Sequence, residues 1–354
     1  MNRIYFLSGA LVVTLVMSYT TWTSGTRDAG GPGAQVPIYS GTQHELEAIR
    51  WSSDALKVDI EEREDEQGTY RWVIVTETVD PNQEEEDPFA HTHPDDPEED
   101  PEEHPEEHEG EEGAHEHHPL ETLVTAFLGN DAALKAWESF GPLHALRQLS
   151  ETGDPSIFGF EEGSTQLTIA RTHGEIDLTV GAETYGSKDR FVKRGDDVFL
   201  VDDALFRPLL HPKTHLVERR LFPMTETDLT RVVVRADGGQ VAYVQRHKDD
   251  RAKAFWALES AQDDEAQDAS LWFGKMLRMR LKAYVTGADP EGMKEAFSFT
   301  VASGDQAVDV QIYRADGEEE KEIFYARSSF SRSLVELTGS LAADVVDDLA
   351  SVLN

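Results

Sequence analysis

Apolar and polar residues alternate along much of this chain in short runs, two longer stretches of helical periodicity interrupt them, and the whole succession occurs twice. Leu46 to Trp51 and Leu56 to Glu61 have the period-two pattern of half-buried strands, and Thr69 to Thr78 carries Trp72 within a β-branched run. Ala132, Leu134, Trp137, Phe140, Leu143, Leu146 and Leu149 then recur at helical spacing, which predicts an amphipathic helix from about Asp131 to Leu149. Alternation returns at Gln166 to Arg171, Ile176 to Val180, Arg190 to Lys193 and Val198 to Val201. These read as a meander punctuated by His173-Gly174 and Gly195-Asp196, and a short helix at Ala204 to Leu210 closes it.

The second succession repeats the order. Leu229 to Ala236, Val241 to Arg246 and Phe255 to Leu258 mirror the opening strands, with Asp237-Gly238-Gly239 as a hairpin turn and Trp256 answering Trp72. Leu271 to Val285 stands in the place of the long helix. Ala296 to Ala302, Val308 to Arg314 and Glu322 to Ala326 repeat the meander, with Asp316-Gly317 between strands, and Leu341 to Leu353 predicts a final helix. The expected fold is α+β: an N-terminal transmembrane helix, then two repeated β-rich units at 44–222 and 223–354, each a mainly antiparallel sheet covered by helices.

The N-terminus departs from both periods. From Ile4 to Thr26 there are 23 residues without a charge, behind Arg3. About 20 apolar residues suffice to cross a hydrocarbon layer of about 30 Å. Tyr19 and Trp22 suit the far interface, and the preceding basic residue suits the cytoplasmic side. The alternative is a cleaved secretory signal, although Tyr19-Thr20-Thr21-Trp22-Thr23 is a poor cleavage site. Residues 1–26 are thus read as anchor or signal and 27–43 as a flexible stalk. The expected location is the cytoplasmic (inner) membrane, with a single pass through the lipid bilayer at residues 4–26 and the C-terminal portion extracytoplasmic.

At 354 residues, with 39% hydrophobic and 9% aromatic residues, the chain has material for more than one core. Asp and Glu number 69 against 32 Lys and Arg, a net charge of −37, and so negative a surface repels phosphate backbones; nucleic acid is excluded as a partner. Cysteine is absent, which removes disulfides, thiolate metal sites, thiol nucleophiles and a lipidated cysteine anchor.

One segment resists both patterns. Between Glu84 and His118 stand seventeen Asp or Glu, seven His and no Lys or Arg, with Pro at 88, 94, 97, 101 and 105, a composition that builds no core and reads as a disordered loop within the first unit. His91, His93, His104, His108, His115, His117 and His118 supply imidazoles, and the adjacent carboxylates supply oxygen ligands, for weak multi-site Zn²⁺ or Ni²⁺ binding. The irregular spacing equally fits a solvating spacer.

Gly181 to Lys188 superficially resembles a phosphate-binding loop, but its Lys does not follow the second Gly and it leads from strand to strand, as a hairpin connection does. His211 and His215 stand four apart, yet Pro212 intervenes and no general-base Glu lies between them, so they read as loop residues. Arg278, Arg280 and Lys282 make the second predicted helix basic, which suits either a docking surface or an ordinary solvated face. No serine elbow or dinucleotide motif occurs. No catalytic or cofactor-binding residue is assigned, and an enzyme is not expected.

Phe158-Gly159-Phe160, Leu167-Thr168-Ile169, Leu178-Thr179-Val180-Gly181, Arg190-Phe191-Val192, Val198 to Val201, Leu205 to Leu210, Arg219-Arg220-Leu221 and Asp228 to Val232 together resemble the domain-of-unknown-function 4340 family. The departures are Gly163-Ser164, where the family has Pro, and His215 to Glu218, which only loosely matches its Asp-Leu-Arg run. The resemblance implies an extracytoplasmic accessory protein, an auxiliary component of gliding-type ABC export systems, with the permease or another envelope component as partner. The alternative drawn from the residues themselves is a periplasmic metal-buffering protein using the His/Glu-rich insert.

Overall fold

The computed structural model describes residues 35–79, 120–150, 154–161, 163–250, 252–285, 290–317 and 322–353. These residues form mostly antiparallel sheet with few helices. Strand β1 (Val36–Tyr39) precedes β2 (Leu46–Ser52), β3 (Leu56–Asp65), β4 (Gly68–Val79) and β5 (Glu121–Leu128). Helix α1 (Asp131–Ser139) leads into β6 (Leu143–Ala145) and β7 (Arg147–Leu149), and β8 (Thr165–Arg171), β9 (Gly174–Glu183), β10 (Asp189–Arg194) and β11 (Asp197–Asp202) follow. Two one-turn helices, α2 (Arg207–Leu210) and α3 (Pro212–His215), carry the chain onward.

The second succession comprises β12 (Arg231–Ala236), β13 (Gly239–Arg246), β14 (Phe255–Leu258), β15 (Ala261–Glu265), α4 (Gln267–Met276), β16 (Leu281–Tyr284), β17 (Lys294–Ser303), β18 (Gln306–Asp316), β19 (Glu322–Ser328), β20 (Leu334–Leu337) and α5 (Gly339–Asp347). One nine-stranded sheet has the order β5-β4-β3-β2-β8-β9-β10-β11-β7, and the other β15-β14-β13-β12-β17-β18-β19-β20-β16. Strand for strand these orders coincide. Each runs its first four strands in reverse, then its last four in sequence, and ends on a short strand that lies between the helix and those last four in the chain. A separate two-stranded ribbon joins β1 to β6.

By compactness the described residues fall into two units, one reaching Arg50 and including Leu134–Leu210, the other Trp51–Ala133 with His211 onward. In the first, Trp137, Phe140, Phe206, Leu167, Ile169 and Val192 are buried, and Tyr39 donates its hydroxyl to the Phe140 carbonyl. In the second, Tyr243, Trp256, Trp272, Phe273, Phe297 and Phe299 form one aromatic core; Tyr243 and Phe273 stack edge-on at 5.2 Å between ring centres. Core residues lie at alternate positions of β3, β4, β17 and β18, as half-buried strands require.

Both long predicted helices are shorter than their periodicity suggested. The expected helix at Asp131 to Leu149 stops at Ser139, because Gly141-Pro142 cannot continue it, and the remaining apolar residues enter β6 and β7. The expected helix at Leu271 to Val285 lies at Gln267–Met276, and Leu281–Tyr284 instead pairs with β20. Strand β1 falls at the end of the stretch read as a stalk. Among the described residues no helix is long and apolar enough to cross a membrane; residues 4–26 lie outside them.

Candidate interaction surfaces

The residues that carry the resemblance fall into two packed groups. Phe158 meets Phe191 edge-on at 4.9 Å and Phe160 at 5.9 Å between ring centres. Between the two phenylalanines Gly159 takes φ +71°, and a Cβ there would stand 2.7 Å from the Ala182 nitrogen; a Cβ on Gly181 would stand 2.1 Å from the Phe158 carbonyl oxygen. The Phe158-Gly159-Phe160 segment therefore lies directly on the β9 backbone, at a distance only glycine permits. Arg190 fastens the same place. Its guanidinium donates to the buried Asp203 at 2.7 Å, to Glu183 at 2.6 Å and to the Gly181 carbonyl at 3.2 Å. These motifs build packing.

Arg219-Arg220-Leu221 does similar work in the other unit. Arg220 makes a two-pronged pair with Glu218, at 2.9 and 2.6 Å, and its own N–H adds a third bond at 2.8 Å to that 4% exposed residue. That bonding raises the Arg220 pKa above its usual value. The Glu218 N–H donates to the Leu128 carbonyl, its carbonyl accepts from Tyr284, and burial pushes the Tyr284 phenol well above its ordinary range. Arg219 donates to the carbonyls of Leu281, Lys282 and Lys213. Asn130 completes the bracket: its Oδ1 accepts from the first turn of α1, and its Nδ2 donates to the carbonyls of His215 and Val217. A groove of about 330 Å³ runs past Asn130, Asp131, Thr214 and Glu218, lined by groups already bonded to one another.

A larger groove, about 450 Å³, lies between the β3–β4 turn and β18–β19, lined by Asp65, Gln67, Asp309, Gln311, Arg327 and Arg332 among others. Arg332, at φ +58°, lays its guanidinium 3.9 Å from the Tyr70 ring centre and donates to both Asp65 oxygens at 2.5 and 3.2 Å. The Arg332 hydrogen bond holds the Asp65 carboxyl below its usual value.

The remaining sequence candidates separate. Gly181 to Lys188 spans the end of β9 and the turn into β10, so it is the hairpin connection its sequence indicates. His211 stands at the N-cap of the one-turn α3 and His215 is its last residue, with ring centres 6.2 Å apart, rather than both lying in a loop. Arg278, Arg280 and Lys282 do not share a helix face: Arg278 and Arg280 follow α4, while Lys282 sits on β16 bonded to Glu336. His91, His93, His104, His108, His115, His117 and His118 all lie outside the described residues, among which no cluster of metal-ligating side chains occurs.

What sequence reasoning missed is a strand edge. β5 stands at the margin of its sheet, with Leu120, Leu123 and Val124 exposed by 63%, 46% and 55%. The signal was present as Leu120 to Leu128, an alternating Thr, Leu, Val and Phe run, but it stood in the shadow of the acidic segment before it.

Comparison with known proteins finds no matching curated protein and no matching solved structure. One family model matches, and it covers β6 of the ribbon, β7–β11 of the first sheet and β12–β16 of the second. Residues 143–296 of the chain match the family model described as Domain of unknown function (DUF4340).

Proposed function

We propose that this protein is an extracytoplasmic accessory, held at the cytoplasmic membrane by residues 4–26 and acting as an interaction module in an ABC-type export or gliding-type transport complex. Its partner is the permease or another envelope component. The observation that carries the reading is the joining, in one chain, of an uncharged 23-residue N-terminal stretch to a DUF4340 stretch whose shared motifs serve packing. The strand orders support taking the two sheets as copies of one unit, placed in tandem at 44–222 and 223–354. A duplicated β scaffold with polar, open grooves offers surface rather than an enclosed reaction chamber, so no catalytic residue is assigned.

The test uses the full chain. A reporter fused after Asn354 should be active only outside the cytoplasm, and crosslinking in solubilised membranes should recover a permease. A reporter active only in the cytosol would overturn the reading.

The metal-buffering alternative rests on the seven histidines between His91 and His118. Calorimetric titration of Zn²⁺ into the full chain and into a form lacking residues 84–118 separates the two. Equal uptake by both forms retires it.

A further inference from the structure

The two sheets have four outer strands, and three are blunted. β15 presents Gln262, Asp263, Asp264 and Glu265 to solvent, β7 has three residues, and β16 has four with Lys282 outward. Short or charged edges resist pairing with another chain. β5 has eight residues and, after Glu121 at its start, no charged residue. Its far end is occupied: Gly129 bridges Val217, and Leu128 accepts from the Glu218 N–H. From Leu120 to Ala126 every second residue turns its N–H and C=O away from β4.

This stretch has no strand beyond it among the described residues, and each of its faces carries an exposed apolar side chain. Leu123 lies across from Glu77, on the side of the sheet that carries buried Val75 and Phe127, and Val124 lies across from Thr76 on the opposite side. An added strand would therefore extend a buried face on one side and cover Val124 on the other. Charge selects what is added. Glu121 stands at the strand's start, and the chain leading into it holds seventeen acids and no Lys or Arg between Glu84 and His118. A second copy of this chain would bring the same −37 against it, and like charge opposes that contact.

We propose that the outer edge of β5, from Leu120 to Ala126, docks an extended protein segment that has apolar residues at alternate positions and Lys or Arg at its flanks. Main-chain bonds supply the attachment, alternate side chains the register, and flanking cations the choice of partner. The proposal rests on the interaction-module reading and gives that reading an address.

Two labelled peptides with the same alternating Val-Thr core, one flanked by lysines and one by glutamates, are titrated into the detergent-solubilised full chain and followed by fluorescence anisotropy. The lysine-flanked peptide should bind about tenfold or more tighter, and added salt should weaken it. The double substitution Leu123→Lys with Val124→Lys should abolish that binding while the circular dichroism spectrum and thermal midpoint stay unchanged, since both residues are exposed. Equal binding of the two peptides, binding by neither, or binding retained by the double variant overturns the proposal. So does self-association of the wild type that the double variant removes, which would assign the edge to a second copy. Recovery of the same permease by wild type and double variant would sink the β5 address alone, whereas a cytosolic C-terminal reporter would sink the underlying reading.

Discussion

The two sheets share a strand order, and their outer hairpins differ in almost everything that strand order leaves free. β4 and β5 have twelve and eight residues and are joined by the chain from 80 to 120; β14 and β15 have four and five and are joined by Glu259-Ser260. In both hairpins the flanking residues remain in register, Val79 with Glu121 and Leu258 with Ala261. The acidic, histidine-rich sequence thus occupies a place where the other sheet manages with a tight connection. The strands that flank it are longer than β14 and β15, and β5 carries exposed Leu123 and Val124 where β15 carries Asp and Glu.

The largest effect should come from the element the two sheets have in common, the covering helix. α1 buries Trp137 and α4 buries Trp272, at 0% and 1% exposure, and Trp272 also donates its indole N–H to the Val345 carbonyl of α5 at 2.8 Å. Emptying such a site removes both transfer energy and contacts, so Trp272→Ala should destabilise by about 3–5 kcal/mol. Trp272→Phe should cost less, with about 1 kcal/mol of its effect from the lost hydrogen bond. Urea unfolding of Trp137→Ala alongside tests the equivalence; a loss below about 1 kcal/mol for either alanine variant would mean that the helices do not play matching parts.

The next test acts on the difference. Replacing residues 81–119 by a four-residue turn shortens the connection about tenfold. Loop closure changes by about 0.6 kcal/mol per doubling, so the shortened chain should gain about 2 kcal/mol. Removing seventeen mutually repelling acids works in the same direction. A higher urea midpoint at unchanged far-ultraviolet dichroism is the expected result. A fall in the midpoint would show that the connection contributes to the fold, and the likeness between the hairpins would then be one of order only.

Most strands were legible because their alternation is the physical consequence of one buried face, as at Leu56–Asp65 and Gln306–Asp316. The same logic misled at both helices, since apolar residues at helical spacing can belong to a short helix followed by a short edge strand. At α1 the stop was written in Gly141-Pro142 and outweighed the periodicity; after α4 no breaker is present, and only the pairing of Leu281, Ala283 and Tyr284 with β20 makes β16 a strand. β15 was invisible because Asp263, Asp264 and Glu265 face water and leave no apolar alternation. The surfaces were less legible than the strands: motifs such as Phe158-Gly159-Phe160 were visible as sequence, but that Gly181 lies beneath them is a fact of tertiary packing.

The smallest expected effect sharpens the comparison at the opposite end of the sheets. β10 and β11 are joined by the tight turn Gly195-Asp196, whereas β19 and β20 are joined by Ser329 to Ser333, which adds Arg332 over Tyr70 and beside Asp65. Partly exposed ion pairs and cation–π contacts each contribute at most about 1 kcal/mol, so Arg332→Gly, which also relieves the φ +58° backbone, should lower stability by about 1 kcal/mol near neutral pH. Asp65 titrates below its ordinary 3.8 in the folded protein because Arg332 bonds its charged form. Its contribution is therefore complete above that value and is lost as pH falls through the lower folded value. Unfolding midpoints of wild type and Arg332→Gly should accordingly converge on acidification below about pH 4, where the carboxylate starts to take up its proton. A gap that stays constant across that range would assign the Arg332 effect to Tyr70 and the loop backbone, and remove Asp65 from the contact that distinguishes this end of the second sheet.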